Sequence, residues 1–349
     1  MESIQDHNSY RFEFSDTKNW LTHLDEKGFV VVAGFVTEAE CKKALENMKK
    51  CIATFSSKLT DDEETWTKDE NYPFLLHGGM VQYVGHANFQ WDMREKVAPI
   101  FAKIWNCEVT DLATSFDGFC YMNGKRGYQA KNPIQNVHTD QSPLRDFLWS
   151  IQGLVNLCDS GEDDGGLVVV PKSHKYHKTL MTQNGNGEYT SDWYRFTDKD
   201  KEDPIFSTHV KVCGKAGDFM MWDSRTFHCN TVPTTPNTRA AVYVCEVPKA
   251  NVPEETKEER YIAWKSKRCS SHQPGNGFRM FPVRPKKSDV SIKDHVFEAQ
   301  VTDEYLSDLQ KSLLCIPENP KEIIPEKPVK PENPKKKNKI KSSGKEENK

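Results

Sequence analysis

The chain has 349 residues, 36% hydrophobic and 28% charged, enough to bury a sizeable core beneath an extensive polar surface. No apolar run approaches the roughly 18 residues that span a bilayer, and Met1-Glu2-Ser3-Ile4-Gln5-Asp6 lacks the basic and apolar parts of a secretory signal. Ten cysteines stand singly with no CxxC pair, which argues against a zinc knuckle or disulfide scaffold and suits a reducing, cytoplasmic compartment. The net charge of −3 hides an asymmetry: from Pro317 onward ten lysines face six glutamates, a surplus of four that leaves −7 on the remainder, a poor general nucleic-acid binder.

In chain order, residues 1–25 read as a lead-in, and the first strand is Gly28-Phe29-Val30-Val31-Val32. A helix follows with Thr37 as N-cap, Glu40 completing a capping box and Val36 with Cys41 as a hydrophobic staple. Its apolar face is Cys41, Ala44, Leu45, Met48 and Ile52. Residues 56–72 read as a polar surface loop. A second helical stretch, about 91–105, is expected to break or kink at Pro99. Short β-type runs then follow at 112–121, 147–157, 166–170, 219–222 and 239–247, which predicts a sandwich or barrel flanked by helices. Residues 251–316 read as a C-terminal extension covering one end of the barrel. Thr302 is the expected cap of a last helix bearing Leu306, Leu309 and Leu313. The tail 317–349, with six prolines by Pro334 and almost nothing apolar, is predicted to be disordered.

The chemistry starts at Val137-His138-Thr139-Asp140. In a strand, residues i and i+2 share a face, so His138 and Asp140 can offer an imidazole and a carboxylate side by side. With His228 brought beside them the set becomes two histidines and one carboxylate on one side of an ion. That leaves about three positions free, an arrangement suited to iron(II) and oxygen chemistry. A keto acid can fill two of those positions and supply electrons. The distal carboxylate of 2-oxoglutarate would need a partner, and Arg239, eleven residues after His228 across a Pro/Thr/Asn-rich turn, is the candidate. Ala241 and Tyr243 share its face, Tyr243 as a pocket wall.

His138-Thr139-Asp140, then Gly165-Gly166-Leu167-Val168-Val169-Val170-Pro171-Lys172-Ser173-His174, then Gly217-Asp218 leading to His228, then Arg239, resemble in order and spacing the phytanoyl-CoA dioxygenase family of iron(II)/2-oxoglutarate oxygenases. The resemblance covers about residues 26–250. It implies a mainly β chain with flanking helices around a double-stranded β-helix, the jelly-roll or cupin-like core. It also implies that His138, Asp140 and His228 hold iron, that Arg239 anchors 2-oxoglutarate, and that O₂ is co-substrate with ascorbate as reductant. The implied reaction hydroxylates a C–H bond of an unidentified substrate, with release of succinate and CO₂. Because Asp140 fills the position a halide would need, hydroxylation is expected rather than halogenation. Two positions depart from the family: Asn230 stands where many members carry a serine, and could donate to co-substrate from its amide, while Lys172 replaces a small turn residue. Gln152 lies on a strand that faces the cavity in the family, within reach of co-substrate or substrate.

Other readings stand beside these. His174 and His177 are spaced like a ligand pair, yet a loop or strand-end role is preferred. Asp163-Asp164 lacks the full calcium-loop register and reads as an acidic turn. Asp223 and Arg225 either orient His228 or form an internal ion pair. Lys335-Lys336-Lys337-Asn338-Lys339-Ile340-Lys341 is a nuclear-localisation patch or a solvated run. A small-molecule substrate is expected and no membrane partner. The alternatives are a catalytically silent binding module and an oxygenase whose protein or nucleic-acid target is recruited by the tail. Specificity is expected in loops near 56–90 and 250–285.

Overall fold

Alternating apolar side chains build two facing sheets in a computed structural model that describes residues 7–54, 56–72, 79–82, 84–183, 189–281 and 300–321. The strands up to the middle of the chain are β1 (Arg11–Phe12), β2 (Phe29–Val32), β3 (Met80–Val81), β4 (Leu112–Thr114), β5 (Phe119–Asn123), β6 (His138–Thr139) and β7 (Ile151–Asn156). They continue as β8 (Gly166–Val169), β9 (Tyr194–Arg195), β10 (Val210–Lys211), β11 (Phe219–Asp223), β12 (His228–Thr231) and β13 (Thr238–Pro248). The larger sheet runs β1-β2-β11-β7-β13-β5-β3, with β4 also on β13, and the smaller runs β10-β8-β12-β6-β9. Among these strands only β1 and β2 pair in parallel, and the two sheets form the expected jelly roll. The single run expected over 112–121 is two strands, and the strand carrying His138 is only two residues long.

Period two on the larger sheet separates two apolar layers. Val30, Val32, Phe219, Met221, Val242 and Val244 face outward beneath helices, while Phe29, Val31, Met220, Leu154 and Ala241 face Leu167 and Val169 of the smaller sheet. Three helices cover the outer layer: α1 (Thr17–Lys27), α2 (Glu38–Ala53) and α3 (Asn88–Trp105). The lead-in reading of 1–25 misses α1, which buries Trp20 and Leu24. That helix ends at Gly28, whose φ of +83° favours glycine and whose Cβ would meet His174 Nδ1 at 2.4 Å. The capping box of α2 is present, with Thr37 N–H donating to Glu40 Oε2 at 2.8 Å. Of the expected break or kink at Pro99, the break does not occur, since α3 continues through it. Proline costs about 3 kcal/mol inside a helix, and Phe89, Trp91, Val97, Ile100 and Phe101 offset it, each buried side chain being worth about 1.5–3 kcal/mol.

On the outer face of the smaller sheet, α4 (Ser173–Gln183) packs Leu180 and Met181 on Val168, Val170 and Phe227. The expected surface loop 56–72 holds a short 3-10 turn, Glu63–Thr67, with Trp66 buried. After β13 come α5 (Glu254–Lys265) and α6 (Asp308–Leu314). The latter is capped by Ser307 and Gln310 rather than by Thr302. Arg260 of α5 is fully buried and donates to the carbonyls of Thr114, Pro274, Leu313 and Leu314. It thereby ties three distant segments together. Residues 282–299 of the predicted cover, and the predicted tail beyond 321, lie outside the described residues. Among the described residues no helix is long and apolar enough to cross a membrane.

Candidate metal centre

His138 and His228 are direct cross-strand partners in the antiparallel pairing of β6 and β12, so their rings share a face with centroids 4.4 Å apart. A one-residue slip of either strand would put the two rings on opposite faces. Asp140 follows β6 immediately and turns its carboxylate to the same point. Its Oδ2 lies 3.2 Å from His228 Nε2 and 3.9 Å from His138 Nε2. The ligand atoms of the three residues lie within 4.8 Å of one another, close enough to hold a metal ion.

Local hydrogen bonds aim these rings. His138 Nδ1 donates to Asn136 O at 2.9 Å, and His228 Nδ1 to Thr226 O at 2.8 Å. A carbonyl can only accept, so in the neutral rings each Nε2 keeps a lone pair directed at the centre. Burial pushes the His138 pKa down to about 4, His228 adding to the effect and Asp140 opposing it. Burial alone would raise the Asp140 carboxyl, but His272, His138 and His228 outweigh it and hold the group well below the usual carboxylate range. A deprotonated, buried oxygen beside two imidazole lone pairs is a donor set that suits a divalent metal.

The other predicted residues divide into two groups. Gln152 on β7 donates from Nε2 to Asp140 Oδ2 at 3.0 Å, and its buried Oε1 has no partner. It therefore buttresses the carboxylate, while its carbonyl remains unpaired. Arg239, Asn230 and Tyr243 converge further inside: Arg239 Nη2 donates to Asn230 Oδ1 at 2.7 Å, and Asn230 Nδ2 to the Tyr243 hydroxyl at 3.4 Å. The Asn230 amide is thus directed at Tyr243. Arg239 is 4% exposed, and its Nε and Nη1 make no hydrogen bond of normal geometry even though Cys120 and Tyr243 lie beside it. An unsatisfied buried donor costs about 1–3 kcal/mol, more when charged, so this guanidinium is suited to an anion. A cavity of about 2660 Å³ has His138, Asp140, Asn230 and His272 in its wall, and Asn230 is the residue to which Arg239 donates.

Two residues that the sequence reading did not single out meet here. His272, in the segment after α5, sets Nδ1 2.7 Å from Asp117 Oδ2 and Nε2 3.5 Å from Asp140 Oδ2. Burial would lower its pKa, but the carboxylates of Asp117 and Asp140 raise it to about 9. No spacing rule links positions 117, 140 and 272. The remaining sequence candidates stand off the centre. His174 and His177 sit on α4, their Nε2 atoms donating to Asp25 O and Gln141 O at 2.8 and 2.7 Å. His177 thereby pins the residue after Asp140. Lys172 adopts φ of +66°, a left-handed conformation that residues other than glycine seldom take. Asp223 and Arg225 pair through two hydrogen bonds of 3.0 and 2.7 Å, the ion-pair reading. Asp164 accepts from Gly161 N–H and Asn237 Nδ2, as an acidic turn would.

A family model described as phytanoyl-CoA dioxygenase (PhyH) matches residues 24–241. The match spans His138, Asp140, His228 and Arg239 but ends before His272. "Ava biosynthesis cluster protein O" of Aspergillus versicolor is 27% identical over 277 residues, covering 73% of this chain and 86% of that protein. A hypothetical protein from Escherichia coli, JW0805, superposes with a TM-score of 0.60 at 13% identity, covering 88% of this chain and 85% of the other. At that identity the likeness speaks for the fold.

Proposed function

The chain belongs to the phytanoyl-CoA dioxygenase family, and from that premise we propose that it is an iron(II)- and 2-oxoglutarate-dependent dioxygenase hydroxylating a C–H bond of a small molecule. The observation that carries this reading is the pairing of a His138/Asp140/His228 cluster with a buried arginine whose Nε and Nη1 lack partners. In the proposed roles, His138 and His228 give their Nε2 lone pairs and Asp140 its carboxylate to iron. Gln152 keeps that carboxylate from rotating. Arg239, fixed in direction by Asn230, receives the distal carboxylate of 2-oxoglutarate through its unpartnered Nε and Nη1, beside the Tyr243 hydroxyl. When bound, iron, O₂ and 2-oxoglutarate supply the oxidation, releasing succinate and CO₂ as the substrate gains a hydroxyl group.

The cavity is large enough for a small-molecule substrate beside the keto acid. The test is spectroscopic and chemical. Anaerobic addition of iron(II) and then 2-oxoglutarate should produce a visible charge-transfer band. Admission of air, with ascorbate keeping iron reduced, should then yield succinate slowly even without substrate. A folded protein that shows neither band nor succinate would remove the reading.

A further inference from the structure

His272 lies outside the stretch that the family model matches, on a segment with no role in the jelly roll, yet its ring is fixed at both ends. Asp117, 2% exposed and held by a hydrogen bond from Gly118 N–H to its Oδ1, takes Nδ1 at 2.7 Å. The other ring nitrogen faces Asp140 Oδ2 at 3.5 Å. Nδ1 therefore donates to Asp117, while Nε2 stands at ion-pair distance from Asp140. The segment itself is anchored: Arg260 binds Pro274 O at 2.9 Å, and Ser270 N–H donates to Phe116 O at 2.9 Å, next to Asp117. The ring and its partner Asp117 are thus carried by backbone segments joined to each other.

We propose that His272 is a positioning residue of the candidate metal centre, a close neighbour that together with Gln152 fixes the orientation of the Asp140 carboxylate between His138 and His228. The inference rests on the proposed metal-binding reading of that cluster. Gln152 and His272 approach the carboxylate from different parts of the chain, one from β7 and one from the segment after α5. A carboxylate held by one hydrogen bond and one close ring contact has its rotation restricted before any ion arrives, which lowers the ordering required on binding. The competing role for His272 is a structural one, in which its bond to Asp117 merely fastens the C-terminal segment.

The experiment compares His272→Asn and His272→Gln with the unaltered protein by titration with cobalt(II), followed by absorption, and by calorimetry of the metal-free proteins. Asparagine can still meet Asp117 but is too short to reach Asp140, whereas glutamine can reach Asp140 with an amide donor. His272→Asn should weaken cobalt(II) binding about tenfold, the low end for loss of an outer partner of a metal ligand. His272→Gln should recover most of that affinity, and both metal-free melting temperatures should stay close to the unaltered one. Unchanged affinity in His272→Asn, or equal loss in both variants in step with a fall in melting temperature, overturns the proposal. Failure of the unaltered protein to bind cobalt(II) or iron(II) instead rejects the metal-binding reading itself.

Discussion

Along β13, consecutive side chains enter different environments. Ala240, Val242 and Val244 press outward against the helices, where Phe101 and Phe219 meet with ring centroids 5.6 Å apart. Arg239, Ala241 and Tyr243 point inward, where polar groups of β7, β12 and the segment after α5 gather around Asp140. One strand therefore carries a face whose apolar burial supports the fold and a face that accepts unsatisfied donors near a binding site. The difference teaches that the two duties are assigned by parity of residue number, and so should be separable by mutation.

The strongest break comes at the metal side. His228→Ala should abolish cobalt(II) or iron(II) binding and reduce succinate formation to background, while the metal-free melting temperature holds. A large loss of thermal stability would show that the inner face also supports the fold. On the outer face Phe101→Ala should cost about 3–5 kcal/mol of stability, read by denaturant midpoint. The Michaelis constant for 2-oxoglutarate should be unaffected in that variant, and a shift in it would deny the separation. Arg239→Gln should weaken 2-oxoglutarate by at least about 2 kcal/mol, roughly thirtyfold, as truncation of a buried charged partner does, while cobalt(II) affinity stays level. Equal 2-oxoglutarate affinity in this variant would take Arg239 out of the site.

The smallest effect concerns pH on the helical side. His23 of α1 lies between Phe12 and Phe29, with ring centroids at 5.4 and 5.6 Å, and its Nε2 has no partner. Burial first, and then Lys27, push its pKa down to about 4, with Glu26 opposing. The unfolded chain, with an ordinary value near 6.5, binds more protons between those limits. The stabilising contribution is therefore complete above about pH 6.5 and is lost as pH falls toward 4. His23→Gln should flatten that part of the melting-temperature profile, measured between pH 7 and 4 on metal-free protein. An unaltered slope would assign the acid sensitivity elsewhere.

What could be read from the chain follows the same division. The capping box at Thr37 and Glu40 and the alternation in β2 and β13 are local patterns, and each is present. The resemblance ties His138, Asp140, His228 and Arg239 to roles by spacing, and the fold brings the first three within 4.8 Å of one another, although β6 proved only two residues long and Asp140 lies just past it. The helix at 17–27 escaped because its apolar residues are few, Trp20, Leu21 and Leu24 among polar neighbours. Ser307 and Gln310 repeat the signature seen at Thr37, so the start of the last helix was written locally but passed over for Thr302. His272 had no such signal, since it meets Asp117 across 155 positions and only the tertiary fold joins them.

Arg260 gives this arrangement a practical consequence. Its guanidinium needs Leu313 and Leu314 as acceptors, and it also grips Pro274, two residues beyond His272. A proteolytic clip that removed α6 would leave a buried cation short of two acceptors and loosen the backbone beside the metal centre. Limited digestion would thus extinguish turnover while the sheets still resist the protease, and a preparation trimmed at its far end could pass for a folded but inactive enzyme.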